Sequence, residues 1–162
     1  MRSEDVSAQR VNTPRQKGDR FLRTVALVVG GTFLLVGILG FVPGVTTDYD
    51  QLELAGHESE AKLLGLFQVS ILHNIVHLLF GVLGIAAAKR PRAAVTYLIG
   101  GGLVYLVLWI YGLSVGHHSD ANFVPLNDAD NWLHLGLGVA MIGLGVYGYK
   151  RLRGGIGGDV PM

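Results

Sequence analysis

Long apolar stretches alternate with short polar connections along this chain. Four runs, at residues 21–42, 62–88, 93–115 and 131–149, each carry close to the number of mostly apolar positions that crosses a bilayer, about 20 residues for roughly 30 Å of hydrocarbon. Arg23 interrupts the first run near its start, the third carries no charge, and the fourth is the shortest and opens on polar residues. The pattern predicts four transmembrane helices. The connections between them are short, which favours an all-α, integral-membrane four-helix bundle running up, down, up and down. No internal repeat stands out.

Charge sharpens this picture. Arg2, Arg10, Arg15, Lys17, Arg20 and Arg23 precede or open the first run, Lys89, Arg90 and Arg92 sit between the second and third, and Lys150, Arg151 and Arg153 follow the fourth. Lys62 is the one basic residue elsewhere. The other two loops hold Asp48, Asp50, Glu53, Glu58, Glu60, Asp120, Asp128 and Asp130. With four spans the three basic segments share one side, and the positive-inside rule makes that side the cytoplasm. The expected setting is therefore a membrane crossed several times, with both termini in the cytoplasm. The first run is read as a retained span, because its apolar core exceeds the roughly 7–15 residues of a signal peptide.

Residues 1–20 are polar and without periodicity and are expected to be a disordered basic tail. Residues 150–162 are expected to form a second, Gly-rich cytoplasmic tail. The basic N-terminus suits anionic lipid head groups; alternatively its charges only set topology. The bilayer is the expected partner, with a homo-oligomer or a larger membrane complex open and no nucleic acid implied. The chain has no cysteine, which excludes disulfides, thiolate metal sites and cysteine nucleophiles.

Of the 24 glycines, several recur at helical spacing. His134, Gly138, Met141, Gly145 and Gly148 share one face of the fourth run, and Ser70, His77, Gly81 and Gly84 one face of the second. Small residues so placed let membrane helices approach closely. Gly37 and Gly40 are too few to assign a face in the first run.

Polar residues within the apolar runs are the candidate site, since ionisable groups in hydrocarbon are costly and usually face partners. His73 and His77 are four residues apart and share a helix face; Asp130 and His134 repeat that spacing, with Asn131 between them. All three histidines are expected in the outward half of the bundle. Three chemistries fit. Ser70, Asn74, Asn131 and neutral histidines can form a structural hydrogen-bond network. His73, His77, His134 and Asp130 supply ligand types suited to a transition metal, with Asp130 as ligand or as orienter of His134. Haem b would take His73 or His77 on one side and His134 on the other. Asn74 and Ile75 follow His73 where a metalloprotease motif needs glutamate, so hydrolysis is not indicated.

Two segments resemble a bacterial family of small membrane proteins catalogued as domain of unknown function 4383. One is Phe67-Gln-Val-Ser, His73-Asn74 and His77-Leu, followed by Gly81 and Gly84. The other is Asn127, Asp130-Asn131 and His134. The stretch from Tyr105 to Gly116 is similar too. The resemblance covers roughly residues 21–149 and implies four spans, without an established activity to carry over. The resulting expectation is a non-enzymatic structural or accessory membrane protein. Metal or haem binding, perhaps redox-linked, and a small transporter or proton-conducting oligomer are the alternatives.

Overall fold

A computed structural model describes residues 13–154 of the chain. The helices are α1 (Pro14–Leu39), α2 (Ile71–Ala87), α3 (Pro91–Ser114) and α4 (Asp128–Gly154). Three two-residue strands, β1 (Thr46–Thr47), β2 (Lys62–Leu63) and β3 (Phe67–Gln68), form a small antiparallel sheet in that order. By length and composition α1, α3 and α4 are able to cross a membrane, and α2 is a shorter apolar helix. Their outward faces are apolar: Val28 is 61% exposed, Leu79 59% and Val107 64%. Such continuous apolar surface suits lipid rather than water.

The largest departures from the expected boundaries are at the starts of α1 and α2. Helix α1 starts seven residues before position 21, because Thr13 and Gln16 form a reciprocal capping box and Pro14 occupies the first turn, where a missing N–H costs nothing. Residues 14–20 are therefore helical, and 150–154 complete α4; the rest of the two expected tails, 1–12 and 155–162, lies outside the described residues. The second apolar run is helical only from Ile71. Residues 62–68 form a β-hairpin instead, turning at Leu64 and Gly65, both at positive φ. Ser70 then caps α2, its hydroxyl accepting the His73 N–H at 3.1 Å. The remaining 17 residues span about 25 Å at 1.5 Å each. Ser70→Ala is expected to cost about 1 kcal/mol of stability, measured by SDS-induced unfolding in mixed micelles, with faster amide exchange at His73.

Helix α1 packs chiefly on α2 and α3 chiefly on α4; the two pairs meet mainly through α1 and α4. Helices α2 and α3, although joined by a three-residue turn, touch little. The two pairs share one packing pattern, although no internal repeat stands out along the sequence. A Cβ placed on Gly30 would lie 2.9 Å from the Gly81 carbonyl oxygen and 2.8 Å from the Ile85 nitrogen. A Cβ on Gly102 would lie 2.8 Å from the Gly138 oxygen and 3.1 Å from the Ile142 nitrogen. In reverse, Gly81 faces Leu34 and Gly138 faces Leu106. Each hairpin thus closes on a pair of glycines whose main chains meet, which only residues without a side chain permit. Gly30 to Gly102 is a shift of 72 residues, and Gly81 to Gly138 a shift of 57. The same shifts align Phe33 with Tyr105, Gly40 with Gly112, Ser70 with Asn127, His73 with Asp130, Asn74 with Asn131 and His77 with His134.

Candidate functional site: a polar layer beneath the sheet

The seven polar residues singled out above fall at the sheet end of the helices, and the duplication sorts them into equivalent pairs. Asn74 and Asn131 are 1% and 4% exposed. The Asn74 amide occupies the place that a Cβ on Gly40 would take, and the Asn131 amide the place of a Cβ on Gly112. Each wedges α2 or α4 against the end of the preceding helix. Gly37 and Gly40, which had no assignable face, both turn towards α2. Phe33 and Tyr105 stack across the centre, with ring centroids 5.5 Å apart and planes 6° from parallel. Phe33 meets the His77 ring edge-on at 5.5 Å, and Tyr105 meets His134 at 5.1 Å.

At the next pair the copies diverge. Asn127 and Asp130 form a reciprocal box at the start of α4: the Asp130 N–H donates to Asn127 Oδ1 at 3.0 Å, and the Asn127 N–H donates to Asp130 Oδ2 at 3.1 Å. The same Oδ2 accepts the Gln68 N–H of β3 at 3.0 Å, and Asn127 Nδ2 donates to the Leu66 carbonyl at 2.9 Å. The sheet is thereby fastened to α4, while Leu63 and Val69 pack with Val36 and Leu39 of α1. It plugs the α1–α4 side. His73, the counterpart of Asp130, has no such duty. Its ring lies 4.3 Å from that of His77, whose Nδ1–H donates to the His73 carbonyl at 3.0 Å. That bond places the His77 proton on Nδ1 and leaves Nε2 as an acceptor in the neutral ring.

His73, His77 and His134 line one cavity of about 140 Å³ between α2 and α3, together with Tyr105 and with Phe123 and Pro125 of the last loop. Its mouth passes Leu72 and Val76, exposed on α2. Nδ1 of His73 and Nδ1 of His134 are buried without a hydrogen-bond partner. Asp130 does not line this cavity. Among the described residues no group of three or more His, Asp or Glu side chains is arranged to hold a metal ion. The cavity is also well below the roughly 300–1,000 Å³ of pockets that take cofactor-sized ligands. The other histidines, His57, His117 and His118, lie in loops, and His117 Nε2 lies 3.6 Å from an oxygen of Asp128 at the start of α4.

Sequence reasoning named the polar residues, quoted Gln68, Tyr105 and Asn127 only as parts of motifs, gave Gly40 no face, and missed Phe33 and Gly112, on which the layer also rests. The duplicated pattern, an asparagine three residues before a histidine that stands four before a glycine, was the available signal.

An all-α protein with helices of membrane-spanning length and apolar outward faces is the class that this fold and its internal polar layer define. The chain matches the family described as Domain of unknown function (DUF4383) over residues 23–147 and belongs to it. No curated protein and no solved structure matches it.

Proposed function

We propose that this is a non-enzymatic accessory protein of the bacterial plasma membrane, with the sheet on the outer side and both termini in the cytoplasm. The polar layer acts as a lock that holds the two helices of each hairpin in register. The observation that carries this reading is the paired wedge, Asn74 at Gly40 and Asn131 at Gly112. The single buried carboxylate of the layer is committed to main-chain N–H groups, which suits a structural duty for it. The orientation rests on the basic segments at the terminal end and the acidic loops at the sheet end.

The cysteine-free chain makes the topology directly measurable. Leu54→Cys, exposed at the sheet end, is expected to react with a membrane-impermeant maleimide on intact cells, and Arg90→Cys only after the membrane is opened. The reverse pattern would invert the protein and overturn the assignment of sides.

One observation favours a second reading, that the layer also receives a small uncharged ligand. Two buried imidazole nitrogens are unpartnered beside the 140 Å³ cavity, a volume close to the ~150 Å³ that accommodates one benzene ring. On this reading 4-octylphenol raises the unfolding temperature of the protein in detergent more than octylbenzene does, and Val76→Trp at the mouth removes the difference. Equal effects of the two compounds would count against it.

A further inference from the structure

At the terminal end, away from the histidines, the starts of α1 and α3 and the end of α4 enclose an open cavity of about 860 Å³. Four arginines line it: Arg15 from α1, Arg90 and Arg92 from the start of α3, and Arg153 from the last turn of α4. Among the described residues none of the four is ion-paired with a carboxylate. Asp19 also lines the cavity, but one of its oxygens is buried with no hydrogen-bond partner at all. Four guanidinium groups gathered round one concavity repel each other, and among the described residues the single carboxylate there pairs with none of them. Arg90 is the N-cap of α3 and provides no side-chain cap, so the first N–H groups of that helix add their partial positive charge at the same place.

This chemistry selects an oxyanion with several acceptors. Guanidinium forks match phosphate oxygens two at a time. The placement selects the source of the phosphate. The cavity sits where three apolar helices end, beside apolar side chains Val95 and Leu152, at the depth of the head groups in a bilayer. The geometry points to a binding site for the phosphate head group of an anionic phospholipid, held by Arg15, Arg90, Arg92 and Arg153. Its acyl chains would lie along the exposed apolar faces of α3 and α4, which continue from the rim of the cavity. Setting membrane topology needs basic residues on one side only; it does not need four of them, from three helices, gathered round one hollow.

The test uses the full chain purified in mild detergent and examined by native mass spectrometry after incubation with phosphatidylglycerol, phosphatidylcholine or inorganic pyrophosphate. The expected result is one retained phosphatidylglycerol per chain and little phosphatidylcholine. Arg90→Gln/Arg92→Gln is expected to weaken retention about tenfold or more, given ~1 kcal/mol per basic residue near an anionic surface. Arg15→Gln/Arg153→Gln, reaching the site from the other two helices, is expected to do the same. Lys89→Gln/Arg20→Gln removes the same charge outside the cavity and is expected to leave retention unchanged. Equal loss in all three double variants would reduce the effect to surface charge and overturn the site. So would retention as strong in Arg90→Gln/Arg92→Gln as in the parent. Pyrophosphate bound in a variant-sensitive way without retained lipid would overturn the lipid as the source. Unfolding by SDS, run alongside, shows whether each variant keeps its fold, so that a failure here is separable from a failure of the structural lock.

Discussion

Gly30→Ala and Gly81→Ala are each expected to destabilise the protein by about 1–3 kcal/mol, the usual range for overpacking a close contact. Toward the upper end is expected here, because the added methyl meets main chain on the opposite helix, which has no rotamer to change. A Cβ on Gly81 would stand 2.7 Å from the Leu34 nitrogen and 2.8 Å from the Gly30 oxygen. Gly102→Ala and Gly138→Ala should behave alike, with Gly138 slightly milder because its nearest neighbours are the side-chain carbons of Leu106. Gly31 and Gly136 stand in the same helices with nothing within 4 Å of a new Cβ. Alanine at either is expected to be neutral or to gain a few tenths of a kcal/mol from helix propensity. SDS-induced unfolding of the six variants decides the matter: a uniform response at all six positions would mean that the glycines do not mediate helix contact.

The second large effect is expected from Asp130→Ala, at about 3 kcal/mol. One carboxylate oxygen accepts the N–H groups of Gln68 and Asn127, and Asp130 is 2% exposed. Hydrogen bonds to a charged group contribute about 1.5–3 kcal/mol, and removing the acceptor leaves two donors unmatched. The loss should be local in kind as well as large. Amide exchange at Gln68 and in the β2–β3 hairpin is expected to accelerate before that of α3. Asp130→Asn retains an acceptor oxygen and is expected to lose less than half as much. If Asp130→Ala leaves the hairpin amides as protected as in the parent, the sheet is held by its own packing on Val36 and Leu39, and the fastening assigned to Asp130 is wrong.

The apolar runs announced the helices because 20 apolar residues have few other fates. Residues 62–69 were misread as part of the second span, since Leu63, Leu64, Leu66, Phe67 and Val69 are as apolar as a helix interior. What makes them a hairpin is non-local: β2 pairs with β1 across the intervening loop, and the Gln68 N–H goes to Asp130, 62 positions along the chain. Two-residue strands carry no periodicity of their own. The duplication was hidden for a related reason. The first helices of the two copies are offset by 72 residues and the second helices by 57, so no single period aligns them. From Gly40 to Asn74 the chain runs 15 residues further than from Gly112 to Asn131, and the longer connection contains the sheet.

The polar residues were legible as a group but not in their roles. His73 and His77 announce a shared face through their spacing, and that face does reach the same cavity as His134. Asp130 and His134 have the same spacing, yet Asp130 turns to the backbone of β3 and of its own N-cap rather than to the histidines. Spacing along one helix fixes direction only to within a face. Which neighbour fills that direction depends on the sheet, and the sheet is on one side of the bundle only. The result is an asymmetric pair of crevices from a symmetric plan: α1–α4 is plugged, and α2–α3 keeps its cavity.

Disulfide formation within the cysteine-free chain tests the duplicated wedge most directly. Gly40→Cys/Asn74→Cys and Gly112→Cys/Asn131→Cys place thiols where glycine and amide now meet, and a disulfide needs Cβ atoms only ~3.5–4.5 Å apart. Both pairs are expected to cross-link within one chain when membranes are treated with copper phenanthroline, read as a mobility shift on a non-reducing gel. The exchanged pairs, Gly40→Cys/Asn131→Cys and Gly112→Cys/Asn74→Cys, are expected not to. Cross-linking of the exchanged pairs, or of neither matched pair, would contradict the two-hairpin account.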